Sequence, residues 1–139
     1  MTKFDGLSLA VDQPSRMIIS HPIHGTPIAD SAGEPAWIDL LSLDSTAHRT
    51  YDRAVTNSRL ERASSGQGRA TAEQIEQEGV ERLAILTKDW RLLSFEGAVL
   101  DVPCNQANAR ELYTSPAMTW LRSQVEVHVS RRANFTQAK

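Results

Sequence analysis

Apolar positions along this 139-residue chain follow two rhythms. The first forty or so residues alternate in short runs, and from about residue 45 onward apolar side chains recur at three- and four-residue steps. Leu7, Leu9 and Val11 alternate weakly with Ser8 and Asp12, which allows a short strand. Met17-Ile18-Ile19 is a stronger strand and runs into His21-Pro22. Ile23 to Ile28 supplies a turn and a second short strand, and Pro22 and Pro27, which cannot donate to a ladder, belong at edges. Ser31-Ala32-Gly33-Glu34-Pro35 reads as a turn, and Ala36 to Leu43 as the best remaining strand. These spacings predict a small N-terminal antiparallel sheet.

The period changes at Asp44-Ser45, either of which can cap a helix. That helix is predicted over Thr46 to about Ala63, with Ala47, Tyr51, Ala54, Val55 and Ser58 on one face. Ser64-Ser65-Gly66-Gln67-Gly68 follows as a flexible linker. Thr71 and Gln74 fit a capping box for the next helix, predicted to run to about Arg91 with Ile75, Gly79, Leu83, Leu86 and Trp90 in one stripe. Gly79 costs about 1 kcal/mol against alanine inside a helix, and a close approach by another element would explain it. Leu92 to Val102 reads as a loop or short hairpin around Glu96-Gly97. Asn105 is placed to cap a short helix ending at Tyr113. Ser115-Pro116 opens a last helix carrying Met118, Trp120, Leu121, Val125 and Val129 and fraying near Arg132. Phe135 is expected to fold back, and the last four residues to be loose. The fold class is therefore α+β, with residues 1–44 a β-rich arm or subdomain and 45–139 a bundle of about four helices, together one compact unit.

Composition changes this picture little. The formal net charge of -2 gives no overall pull toward nucleic acid or an anionic membrane. The single cysteine, Cys104, excludes an internal disulfide and suits a reducing compartment. No apolar run approaches the roughly 20 residues that span a bilayer, and the N-terminus lacks the pattern of a signal peptide.

Candidate chemistry is sparse. His21-x-x-His24 lies in a proline-containing turn with Asp30 as the nearest carboxylate, short of the three or four converging ligands a metal needs. His48 reads as a solvated helix residue, and His128 as packing at the margin of an apolar stripe. Cys104 reads as a small residue before a cap rather than a nucleophile. Gly66-Gln67-Gly68 lacks the surroundings of a phosphate loop. Glu76 and Glu81 have no spacing for shared proton work and read as solvated. Trp37, Trp90 and Trp120 have two readings, as core or as anchors for a partner. No catalytic, cofactor-binding or metal-binding residue is assigned, so a non-enzymatic protein is expected. The weighed alternative is a small enzyme using Cys104, His21 or His24.

Two blocks of the sequence carry a resemblance. One runs through Met17-Ile18-Ile19-Ser20-His21-Pro22, Gly25-Thr26-Pro27-Ile28, Trp37-Ile38-Asp39-Leu40 and Leu43-Asp44-Ser45. The other runs through Lys88-Asp89-Trp90, Phe95-Glu96-Gly97, Asn105 to Ala109, Leu112-Tyr113, Trp120-Leu121 and Arg131 to Phe135. Together, over about residues 17 to 135, they resemble the small tail assembly chaperones of tailed bacteriophages and prophages. The resemblance implies a protein of the host bacterial cytoplasm that binds the tape-measure protein, keeps it soluble and helps the tail-tube protein assemble around it. It implies no small-molecule substrate, nucleic acid or membrane. A permanent structural subunit of a tail or head-tail joint is the alternative. The expected partner-binding residues are Leu83, Leu86, Trp90, Tyr113, Trp120, Leu121, Val125 and Phe135, on helical stripes that are also needed for the protein's own core.

Overall fold

Strands and helices interleave along the chain. The computed structural model describes residues 3–136. Strands β1 (Ser15–Ile18) and β2 (Trp37–Leu40) come first, then helices α1 (Thr46–Ser64) and α2 (Ala72–Leu86). A hairpin of β3 (Thr87–Leu93) and β4 (Val99–Leu100) follows, then helices α3 (Gln106–Thr114) and α4 (Thr119–Ser130), and a 3-10 turn at Arg132–Phe135 comes last among the described elements. The fold is α+β, with one four-stranded antiparallel sheet in the order β1-β2-β3-β4.

The sheet is not wholly N-terminal, because β3 and β4 reach it from beyond α2. Ile38 pairs with Trp90 and Trp37 with Arg91, so residues 1–44 and the helical part share one sheet and one core. The expected strand around Leu7 to Val11 does not form. A 3-10 turn spans Asp5–Leu7, its Leu7 amide donating to the Phe4 carbonyl at 2.8 Å, and Leu7 stands 85% exposed.

The largest departure from expectation is at Trp90. The three- and four-residue steps through Leu83, Leu86 and Trp90 suit a helix, but α2 ends at Leu86. Thr87 adopts an extended backbone as its cap, and its hydroxyl donates to the Leu83 carbonyl at 2.8 Å. Beyond it Trp90 and Leu92 alternate with the more exposed Asp89 and Arg91, which fits a half-covered strand once β2 is there to pair with. Cross-strand pairing has overridden a helical spacing that was compatible with both.

Local caps form largely as the side chains dictate. Ser45 accepts from the His48 amide, Thr71 and Gln74 bond each other's backbone as a capping box, and Asn105 accepts from the Asn108 amide. The exception is Ser115, which makes no side-chain cap bond. Pro116–Met118 forms a 3-10 turn, and α4 starts three residues later than Pro116 promised.

The core lies between the sheet and α2, α3 and α4. Met17, Ile38 and Leu40 from the sheet meet Val80, Leu83 and Leu86 of α2, Ala109 and Tyr113 of α3, and Leu121, Val125 and Val129 of α4. Phe135 folds back and is buried, its carbonyl accepting from the Ala10 amide at 2.8 Å. Of the four terminal residues expected to be loose, 137–139 lie outside the described residues. Gly79 has its explanation in α4, since a Cβ there would come within 2.9 Å of Arg122 Nη2. Arg122 crosses that point to pair with Glu76, and also with Glu126 at 3.0 Å.

Candidate functional site

One open apolar surface lies beside the β3–β4 hairpin. In antiparallel pairing Leu92 stands opposite Leu100, and Val102 follows two residues on, so the side chains of Trp90, Leu92, Leu100 and Val102 form one wall. Trp90 holds that wall, its indole Nε1 donating to the Val102 carbonyl at 2.7 Å. Opposite stand Leu112 of α3, Met118 of the 3-10 turn, and Trp120 and Leu121 in the first turn of α4. Ile19 and Ile28 also line the groove. Its volume is about 410 Å³. That is the scale of a small-ligand pocket or of one or two side chains from another chain.

The rim is apolar as well. Phe95, Leu100 and Val102 are 55%, 46% and 42% exposed. Phe95 stacks obliquely on Trp120 with ring centroids 5.8 Å apart, and on His21 at 4.8 Å, which in turn stacks on His24 at 4.5 Å. Four rings thus run from the start of α4 across the hairpin turn to the His21 turn. The hairpin turn is pressed on its neighbour. Gly97 has φ +91°, and a Cβ there would meet the Ala29 carbonyl oxygen at 2.7 Å. The segment it touches is held by Asp30, which accepts from the Ala32 and Glu34 amides at 2.9 Å and pairs with Arg91 of β3. The Arg91 guanidinium, with those amides, holds the Asp30 carboxyl below the usual range.

Among the described residues, Glu96, Asp101 and Glu111 make no ion pair, and Glu111 is the only charged residue lining the groove. Arg110, its sequence neighbour, is committed to Glu81 of α2, with Nη2 2.9 Å from Oε1.

The eight expected partner-binding residues divide sharply. Leu83, Leu86, Tyr113, Val125 and Phe135 are at most 3% exposed and serve the core. The apolar stripes of α2 and α4 are taken up by the protein's own core. Trp90 and Leu121 are buried as well, but they line the open groove beside the half-buried Trp120, so these three are brought together. Leu100, Val102, Leu112 and Met118 were missed. The alternation Leu100-Asp101-Val102 just before Pro103 was the available signal.

Most of the histidines and carboxylates weighed for chemistry are held by structural bonds. His21 Nδ1 accepts from the Ile23 and His24 amides, and no group of three or more His, Cys, Asp or Glu converges among the described residues. Burial pushes the Cys104 thiol up to about 11, unfavourable for a thiolate nucleophile. Burial also raises Tyr113, whose hydroxyl lies 2.7 Å from Thr87 Oγ1. His48 is not solvated. It is half-buried, accepts from Arg82 Nε at 2.9 Å, and is pushed below its ordinary value by burial and then by that guanidinium. His128 packs at the margin of α4's apolar stripe. Asn134 Nδ2, which only donates, faces its Nδ1 at 3.3 Å, so Nε2 carries the hydrogen toward Ser15 Oγ at 3.0 Å. Glu76 and Glu81, expected to be solvated, pair with Arg122 and Arg110. No helix among the described residues is long and apolar enough to cross a membrane.

Set against models of known protein families, curated proteins and solved structures, the chain matches none of them.

Proposed function

We propose that this protein is a non-enzymatic assembly factor of the tail-assembly-chaperone kind, which covers an apolar segment of a partner polypeptide in the groove between the β3–β4 hairpin and α4. The observation that carries the reading is the exposed apolar rim of Phe95, Leu100 and Val102 beside a groove that already contains Trp90 and Trp120. Contiguous apolar surface around a concave site favours a polypeptide partner over solvent. The sequence resemblance makes the tape-measure protein the first partner to test, with the tail-tube protein assembling around it in the host bacterial cytoplasm. Co-expression with the tape-measure protein is expected to raise that protein's soluble yield and to give a co-purifying complex. Leu100→Asp is expected to abolish both while leaving thermal unfolding unchanged. Unchanged yield together with no complex rejects the reading.

The second reading, a permanent subunit of a tail or head-tail joint, draws support from the sheet, whose end strands β1 and β4 each have a partner on one side only. Mass spectrometry of purified virions separates the two, since an assembly chaperone leaves before the particle is complete and a subunit stays.

A further inference from the structure

The proposed function leaves open what kind of segment the groove takes. Three observations at the site converge on an answer. The first is the free edge. Ser94 N–H donates to the Ala98 carbonyl at 2.8 Å across the hairpin turn. The antiparallel alternation then directs Leu100 toward Leu92 and turns the N–H and C=O of Val99 outward, where the sheet ends. The second is the side-chain pattern. Leu100 and Val102 open onto the groove wall formed with Leu112 and Trp120, so alternate residues of a strand laid along β4 would fall into the same groove. The third is charge. Glu111 lines the groove and Glu96 and Asp101 flank β4 in sequence, all three without an ion pair among the described residues, and no lysine or arginine lines the groove.

Resting on the polypeptide-binding reading above, we infer that the groove takes an extended apolar segment flanked by lysine or arginine, added as a fifth strand along β4. The apolar residues fill the groove, the main chain bonds the Val99 edge, and the flanking cations answer the three carboxylates. A second copy of this chain fits poorly. Its own β4 lies between Glu96 and Asp101, so strand-to-strand pairing of two copies would bring like charges together.

The test uses the full chain and short synthetic peptides of alternating valine and threonine, followed by tryptophan fluorescence and calorimetry. One peptide carries lysine at both ends, one carries glutamate there, and one keeps the lysines but has proline in the centre. The lysine peptide is expected to bind, the glutamate peptide at least about tenfold more weakly, and the proline peptide not at all, because it cannot donate to the edge. Leu100→Asp is expected to remove binding, and the double variant Glu96→Gln/Glu111→Gln to narrow the gap between lysine and glutamate ends. Equal binding of all three peptides overturns the inference. So does preferential binding of an amphipathic helical peptide of the same charge, which would leave the polypeptide-binding reading standing. If no peptide binds while co-expression still solubilises the tape-measure protein, strand addition is wrong and the chaperone reading survives. A concentration-dependent dimer abolished by Leu100→Asp would assign the edge to a second copy and likewise overturn the inference.

Discussion

Helices α1 and α4 attach to the same body by opposite means. The 19 residues of α1 include none that is buried, whereas the 12 of α4 bury Leu121, Val125 and Val129. α1 is held by polar contacts. Asp12 caps its start through the Thr46 amide at 2.7 Å, Tyr51 donates to the Glu78 carbonyl at 3.2 Å, and Arg59 pairs with Glu78 at 2.9 Å. α4 adds a polar clamp to its buried stripe. Gln124 donates to the Ser20 carbonyl at 2.8 Å and accepts from the Ser20 amide at 3.1 Å. Helix length therefore says little about contribution to stability here. The apolar face decides, because exposed ion pairs exchange water contacts for salt contacts at little net gain.

The sharpest way to break this contrast is Leu121→Ala. Removing a 2%-exposed leucine is expected to cost about 2–5 kcal/mol in urea unfolding. Leu60→Ala, on α1 and 63% exposed, is expected to change stability by less than about 0.5 kcal/mol. Equal losses at the two sites would show that α1 packs in a way its exposure conceals. Gln124→Ala comes next, with an expected loss of about 1–3 kcal/mol, since Ser20's amide and carbonyl lose both partners in a part-buried setting.

Titration sharpens the contrast in a different way. His128 and His48 both lie below their ordinary value of 6.5, chiefly through burial. The unfolded chain therefore binds protons at these sites more readily than the folded one. Their favourable contribution is complete above about pH 6.5 and is lost as the pH falls through the folded values. His128 meets Ser15, Asn134 and Phe135, with Arg131 as the cation that disfavours its charge, so protonation sets a new N–H against the Asn134 amide. His48 faces Arg82, with Asp52 and Asp44 opposing in sign. Urea midpoints are expected to fall between pH 7 and 5, and His128→Gln to flatten part of that slope. Arg59→Ala should cost little, under about 1 kcal/mol. Amide exchange in the half of α1 beyond Tyr51 should be much faster than in α4.

What could be read from sequence follows the range of the forces involved. The caps at Ser45, Thr71 and Asn105 depend on residues within three positions of one another, and they form as their chemistry implies. The close approach explaining Gly79 was inferable, but not that Arg122 makes it. Trp90 was misplaced because its strand exists only through pairing with Ile38, some fifty residues away. The same non-local pairing hid the groove. Leu100 and Val102 gain meaning only when Leu92 is opposite and α3 and α4 face them. The helical stripes were correctly seen as apolar, yet Leu83, Leu86 and Val125 spend that character on the interior. Exposure is a property of the assembled molecule, and no spacing rule separates an inward leucine from an outward one.

Gly97 sets the mouth of the groove from the outside. With its backbone resting on the Ala29 carbonyl, the turn acts as a stop against which the whole hairpin leans, and the missing methyl group is the gap that lets it seat. Any side chain at this position would act as a shim. It would force the turn and the Ala29-Asp30 backbone apart, since a Cβ would stand 2.7 Å from the Ala29 carbonyl oxygen and 3.2 Å from Asp30 Cα. A substitution at this single turn residue would thus alter the shape of the groove without replacing any residue that lines it.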